Sequence, residues 1–204
     1  MKKIKWKTLT ISCLVCLLPM LLGLAMWNEL PDRIAIHFDI NNNPDKFAPK
    51  AFAVFGLPII MIAFQVFCCI VTDVSEKHQK DNPKAVFVAK WMIPMIALIL
   101  QPVTLFYSTG VSLDIRRIAV FIVGAMFILL GNYLPKLDHI KNYNIDPQKA
   151  RKINRFSGYS MVILGVLFLV SLFFSPVASV ICLILLIPYS IITSILFITA
   201  GKKK

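Results

Sequence analysis

VASVICLILLIPYSIITSILFITA, residues 177–200, runs for 24 residues without a charge. A hydrocarbon layer about 30 Å thick needs roughly 20 apolar residues of α-helix to cross it. Lipid offers backbone groups no water, so a spanning segment must bond them internally, as a helix does. The stretch therefore reads as a transmembrane helix, and it sets the class of the whole chain. Five further apolar runs lie upstream, at about 8–27, 51–72, 91–109, 118–134 and 158–174. The chain has 204 residues, 58% of them hydrophobic, and its mean hydropathy is +0.76, a membrane composition. Only Ser175-Pro176 separates the last two runs, which predicts a tight antiparallel helical hairpin. The expected architecture is an all-α membrane protein: a six-transmembrane-helix bundle in one membrane domain, 1–204, with a small extracellular loop cap between helices 1 and 2.

Alternate loops differ in charge. The N-terminus, loop 73–90, inner loop 135–157 and the C-terminal lysines hold 17 of the 22 Lys and Arg residues. The outer loop 28–50, loop 110–117 and the last short link hold the other 5. Positive-inside bias places both termini in the cytoplasm. Acidic residues divide five to each side, so the external loops are neutral and the net +12 lies inside, facing anionic lipid. No nucleic-acid partner is needed to account for it. Lys2, Lys3, Lys5 and Lys7 precede the first span as they would in a signal peptide, but its apolar run is too long and Met26-Trp27-Asn28 offers no small-residue cleavage site, so an uncleaved helix is expected.

The predicted spans contain no Asp, Glu, Lys, Arg or His, which argues against an ion-coupled transporter. Cys13-x-x-Cys16 lies within a span with no second pair and no nearby His, so it reads as packing and not as a metal or redox motif. Gln65, Gln101, Asn132 and a Tyr189-Ser190-x-x-Thr193-Ser194 face are expected to make interhelical hydrogen bonds. Pro19, Pro58, Pro94, Pro102 and Pro188 are expected to kink their helices. HExxH, GxSxG and the Walker lysine loop are all missing, so the chain reads as no enzyme, with no catalytic residue and no cofactor.

Loop 28–50 is different in kind. Its seven charges, at about 3 kcal/mol each, would cost roughly 20 kcal/mol in hydrocarbon, so it lies in water or against the membrane surface. Residues 33–39 alternate, with Ile34, Ile36 and Phe38 on one face and Arg33, His37 and Asp39 on the other, as in a half-buried strand. Asn41-Asn42-Asn43-Pro44 follows as a turn. Pro31, Ile34, Ile36 and Phe38 are the residues expected to pack the loop on the helices. Asp39-x-Asn41-x-Asn43-x-Asp45 has the spacing of a calcium loop, but Pro44 stands in place of the required glycine and Lys50 in place of the bidentate glutamate, so no metal is expected. Two readings stay open and compatible. In one, Asp39, Asp45 and Lys50 tie the turn together. In the other, His37, Asp45, Phe47 and Lys50 present a charged and aromatic patch to an external ligand.

Leu30-Pro31-x-x-Ile34-x-x-His37-Phe38, followed by Asn41, Pro44-Asp45, Phe47 and Lys50, resembles the extracellular loop of the SdpI-type immunity family of bacterial membrane proteins. Gly131-Asn132-x-Leu134-Pro135-Lys136, Arg155-Phe156-x-Gly158 and Gly165 resemble that family's later helices. Asn42 stands where the family usually has glycine, and the loop after Lys136 is shorter, lacking a Gly-Ile-Arg-x-Pro-Trp-Thr segment. The resemblance implies a membrane immunity or sensor protein protecting against a secreted antimicrobial peptide toxin. In some members this is coupled to sequestering a cytoplasmic repressor at the membrane. The alternative from the residues alone is a membrane permease or transporter subunit.

On the inner side, Asp146-Pro147 reads as a helix start. The residues after it put Ala150, Ile153 and Phe156 on one side of a helix and Lys149, Arg151, Lys152 and Arg155 on the rest. That segment is expected to lie on the inner leaflet, against anionic lipid or a cytoplasmic partner. Asn82-Pro83 repeats the start signal ahead of the third span.

Overall fold

The structure is a computed structural model and describes residues 4–74, 83–136 and 147–201. The elements run α1 (Trp6–Ala25), β1 (Arg33–Phe38), β2 (Pro44–Pro49), a π turn (Phe52–Gly56), α2 (Leu57–Val74), α3 (Pro83–Ser108), α4 (Ile115–Tyr133), a 3-10 turn (Leu134–Lys136), α5 (Pro147–Ser171) and α6 (Pro176–Gly201). Among the described residues, six helical segments are long and apolar enough to cross a membrane. The protein is thus an all-α, multi-pass membrane protein whose small two-stranded sheet forms the loop cap between the first two spans. Pro147 and Pro83 open their helices as expected. Asp146, Asn82 and the shortened loop after Lys136 lie outside the described residues.

Packing divides the chain into two compact units, one of Met1–Val74 with Lys90–Ala119 and one of Ser75–Ala89 with Val120–Lys204. In the first unit, α2 and α3 each carry prolines, which remove the N–H that a carbonyl one turn earlier would use. Pro94 leaves the Lys90 carbonyl without its helical donor, and the Gln65 amide donates to that oxygen at 2.8 Å. Pro58 does the same to the end of the π turn, and the Gln101 amide donates to Ala53 O at 3.2 Å and Val54 O at 3.4 Å. The two glutamines are therefore interhelical, as their isolation in apolar sequence predicts. Gln65 also donates to Ser12 Oγ of α1 at 2.8 Å, which ties three helices together.

The expectation of charge-free spans is corrected here. The helices extend past the predicted limits at 72 and 91, and Asp73 of α2 and Lys90 of α3 meet inside the unit at 2.5 Å, their side chains 1% and 3% exposed. Asp73 Oδ2 also accepts the Lys5 backbone N–H at 3.1 Å. Gln65, Cys69 and Asp73 follow one another at four-residue spacing, so one face of α2 carries a buried polar file.

In the second unit, α4 and α5 approach through paired glycines. A Cβ on Gly131 would sit 2.7 Å from Gly158 O, and one on Gly165 would sit 2.7 Å from Gly124 O. Only glycine permits such backbone contact, which is the small-residue packing of membrane helices. Tyr189 of α6 donates to Ser157 O at 3.1 Å, whereas Ser190 and Thr193 bond carbonyls of their own helix. Asn132 is exposed, so the interhelical role expected of it is not met. The basic segment at 148–156 is no separate surface helix but the first turns of α5. Ala150 is buried against Phe197 and Ala200, and Ile153 is buried too. Phe156 is exposed, so it does not share their buried side. Lys149, Arg151, Lys152 and Arg155 are all exposed.

Candidate functional site

The cap is a β-hairpin. β1 pairs antiparallel with β2 from Arg33 opposite Pro49 to Phe38 opposite Pro44, and the register slips between Ala35 and His37. Such an irregularity re-aims side chains along the bulged strand. It accounts for a burial pattern that strict alternation does not give: Ile34 and Ala35 are both buried, and Ile36 is exposed. Leu30, not Pro31, supplies the packing before the strand; Pro31 is exposed, while Leu30 joins Met26, Ile34, Ala53, Val54 and Leu105 in one apolar cluster. Phe38 sets its ring edge-on to Tyr107 of α3, centroids 4.9 Å apart.

The tip is built by its own polar side chains. Asp39 Oδ1 accepts the backbone N–H groups of Asn41 and Asn43, each at 2.8 Å, and Oδ2 accepts the Asn43 amide at 3.1 Å. Those bonds, the Asn43 backbone first, hold the Asp39 carboxyl below its ordinary pKa. Asn42 sits at φ +67°, the left-handed region, which asparagine tolerates and glycine adopts freely. Both ends of its amide are used: Nδ2 donates to Leu113 O at 3.0 Å and Oδ1 accepts the Arg116 N–H at 3.2 Å. The hairpin tip is thereby fastened to the loop before α4. Neither Asn42 nor its partners stand out in the sequence as a site, and the missing signal is that asparagine can do what glycine does and also bond outward.

Of the four residues expected to form a patch, the structure brings two into contact. His37 Nδ1 and Asp45 Oδ1 lie 2.5 Å apart in the open, 56% and 43% exposed. Phe47 follows on the same strand as Asp45, with its ring exposed. Lys50 points elsewhere. Its side chain is 17% exposed, and its ammonium, 3.8 Å from Asp32, donates to Trp27 O at 3.2 Å and Leu30 O at 3.1 Å. It also lies 4.9 Å from the centre of the Trp27 ring, so it closes the chain leaving α1 onto the end of β2.

Residues 14–62, which run from α1 through the hairpin into α2, match a family model described as a domain of unknown function, DUF1648. The immunity protein SdpI of Bacillus subtilis (strain 168) is 25% identical over 193 residues, covering 91% of this chain and 91% of that protein. The SdpI-type resemblance holds across nine tenths of the chain. No solved structure matches. Against the SdpI-type pattern quoted above, Asn42 proves to occupy a left-handed position suited to the usual glycine, and Gly131, Gly158 and Gly165 prove to be points of helix contact.

Proposed function

We propose that this protein is a non-enzymatic immunity protein of a bacterial plasma membrane, with both termini cytoplasmic and the hairpin cap outside, protecting its cell against a secreted antimicrobial peptide toxin. The observation that carries the reading is the cap itself. A charged 23-residue loop is folded into a hairpin, latched by Asn42 to the next loop and by Lys50 to α1, in the region covered by the matched family model. The similarity to an immunity protein over almost the whole chain supports the activity. Lys and Arg asymmetry supports the orientation. In this reading His37, Asp45 and Phe47 meet the toxin, and Lys50 keeps their strand in place. Lys149, Arg151, Lys152 and Arg155 rest on anionic inner-leaflet lipid, and a cytoplasmic repressor is a further partner to be sought there.

The test is survival of a deletion strain in spent medium from its parent, with complementation by wild type and by His37→Ala and Phe47→Ala at matched membrane abundance. Sensitivity of the deletion strain, rescued by wild type and not by the variants, is the expected result; a deletion strain that survives as well as its parent at every growth phase sinks the reading. One observation favours a second reading, a permease or transporter subunit: Asp73 and Lys90 put ionisable groups within the helices, where such groups mark ion and proton paths. It predicts a solute or ion flux in proteoliposomes that Asp73→Asn abolishes.

A further inference from the structure

Beneath the hairpin lies a cavity of about 260 Å³, walled by Ile34, Ile36 and Phe38 above and by α2, α3 and the first turns of α4 below. The space is partly open to the surroundings, a cleft that the side chains around it leave unfilled. Its depth comes from short side chains: Ala53, Ala97 and Ala119 stand where larger residues would close it. One wall belongs to the π turn, a distortion frequent at functional sites, and here it is held open by the Gln101 amide on Ala53 O and Val54 O.

The lining says what fits. Among the described residues, none that lines the cavity is charged. Its two polar lining side chains, Gln101 and Thr104, direct their donors at backbone carbonyls, Thr104 at Leu100 O at 2.7 Å. The rest of the lining is apolar, so an occupant gains chiefly by removing apolar surface from water. Ile36 lines the cavity yet is 39% exposed, which puts an opening at the hairpin. The same hairpin exposes Ile40 and Phe47. With five acidic and five basic residues in the loops on that side, no net charge selects an ionic ligand.

We propose that this cavity receives apolar side chains of the secreted peptide, so that the hairpin is the roof of a hydrophobic socket as well as a patch. The inference rests on the immunity reading for the peptide's origin. Its occupant is Leu-, Ile- or Phe-like, entering from the water side past Ile36, and selection is by volume. Lipid acyl chains share that chemistry, and the experiment separates the two sources.

Full-length wild type, Ala97→Leu and Ala119→Leu would be purified, incubated with the apolar peptide fraction of the parent's spent medium, and weighed by native mass spectrometry, with melting temperature as the check on folding. A peptide-mass adduct on wild type, reduced at least tenfold in at least one filled variant that melts no lower than wild type, is expected. An adduct of phospholipid mass that filling removes, a peptide adduct that survives filling in every folded variant, or no adduct on wild type overturns the socket. If both variants melt lower, Ala97→Val and Ala119→Val, with smaller added volume, decide by the same criterion. Survival assays on the same variants keep the two ideas apart: protection that persists in filled variants leaves immunity standing without the socket. A peptide adduct lost on filling, in a protein that does not protect, leaves the socket standing without immunity.

Discussion

Two side-chain contacts in this protein have the same distance and opposite surroundings. Asp73 and Lys90 meet at 2.5 Å with almost no exposure, and His37 and Asp45 meet at 2.5 Å with about half of each side chain in the open. Distance alone would rank them equal. Environment does not: a buried pair makes each partner depend on the other, because a lone charge left in a low-dielectric interior is far more costly than the pair. An exposed pair is hydrated, screened and worth about 0–1 kcal/mol. Breaking the first contact therefore threatens the fold, whereas breaking the second leaves it nearly intact.

Removing one buried partner should break this contrast most visibly. Lys90→Met is expected to lower stability by about 3–5 kcal/mol, read from denaturant unfolding in lipid or detergent. The double change Asp73→Leu/Lys90→Met should recover most of that loss; a double variant as unstable as the single would show that the pair is not the source. Next in size is Gln101→Leu, which strips the donor from the Ala53 and Val54 carbonyls. An expected loss of about 1–3 kcal/mol follows from leaving buried carbonyls unpaired, and hydrogen exchange at residues 52–58 should rise.

The exposed pair should behave in the opposite way. Asp45→Asn is expected to shift stability by no more than about 1 kcal/mol while reducing protection in the survival assay. A large fall in melting temperature would make His37–Asp45 structural after all. Smallest is the pH response of the hairpin tip. Since the folded Asp39 pKa is depressed, its contribution to the turn is fully present above the unfolded value and is lost as pH falls through the lower folded value. NMR amide signals of Asn41 and Asn43 should move together through that acid window, and Asp39→Asn should abolish the transition.

The long apolar runs made the six spans legible, and Ser175-Pro176 made the tight α5–α6 link legible, because hydropathy is a sum over many residues. Ends were less so. Asp73 and Lys90 fell just outside spans drawn at 72 and 91, and that small displacement concealed the buried pair. β2 was hidden for a different reason: Pro44-Asp45-Lys46-Phe47-Ala48-Pro49 has two prolines and no β-branched residue, so its strand character comes from pairing with β1 and not from its own propensity. The alternation of β1 marked Ile34 and Phe38 correctly, but a register slip is invisible to a period-two reading, and so was the burial of Ala35. Lys50 was expected either to tie the turn or to join an external patch, because nothing local announces that Trp27 and Leu30 will turn their carbonyls toward it. The volume beneath the hairpin depends on which alanines face one another across three helices, and no single stretch records that.

The exchange of hydrogen bonds between α2 and α3 has a mechanical meaning. Pro58 is served by Gln101 and Pro94 by Gln65, so in each helix the proline stands seven residues before the glutamine that answers the other. The arrangement works as a two-pin key between antiparallel rods. A slip of one helical turn, about 5.4 Å, would pull both pins at once and strand both sets of carbonyls. A piston stroke of α2 against α3 would therefore break both sets of bonds, whereas a tilt of the keyed pair moving together would keep them.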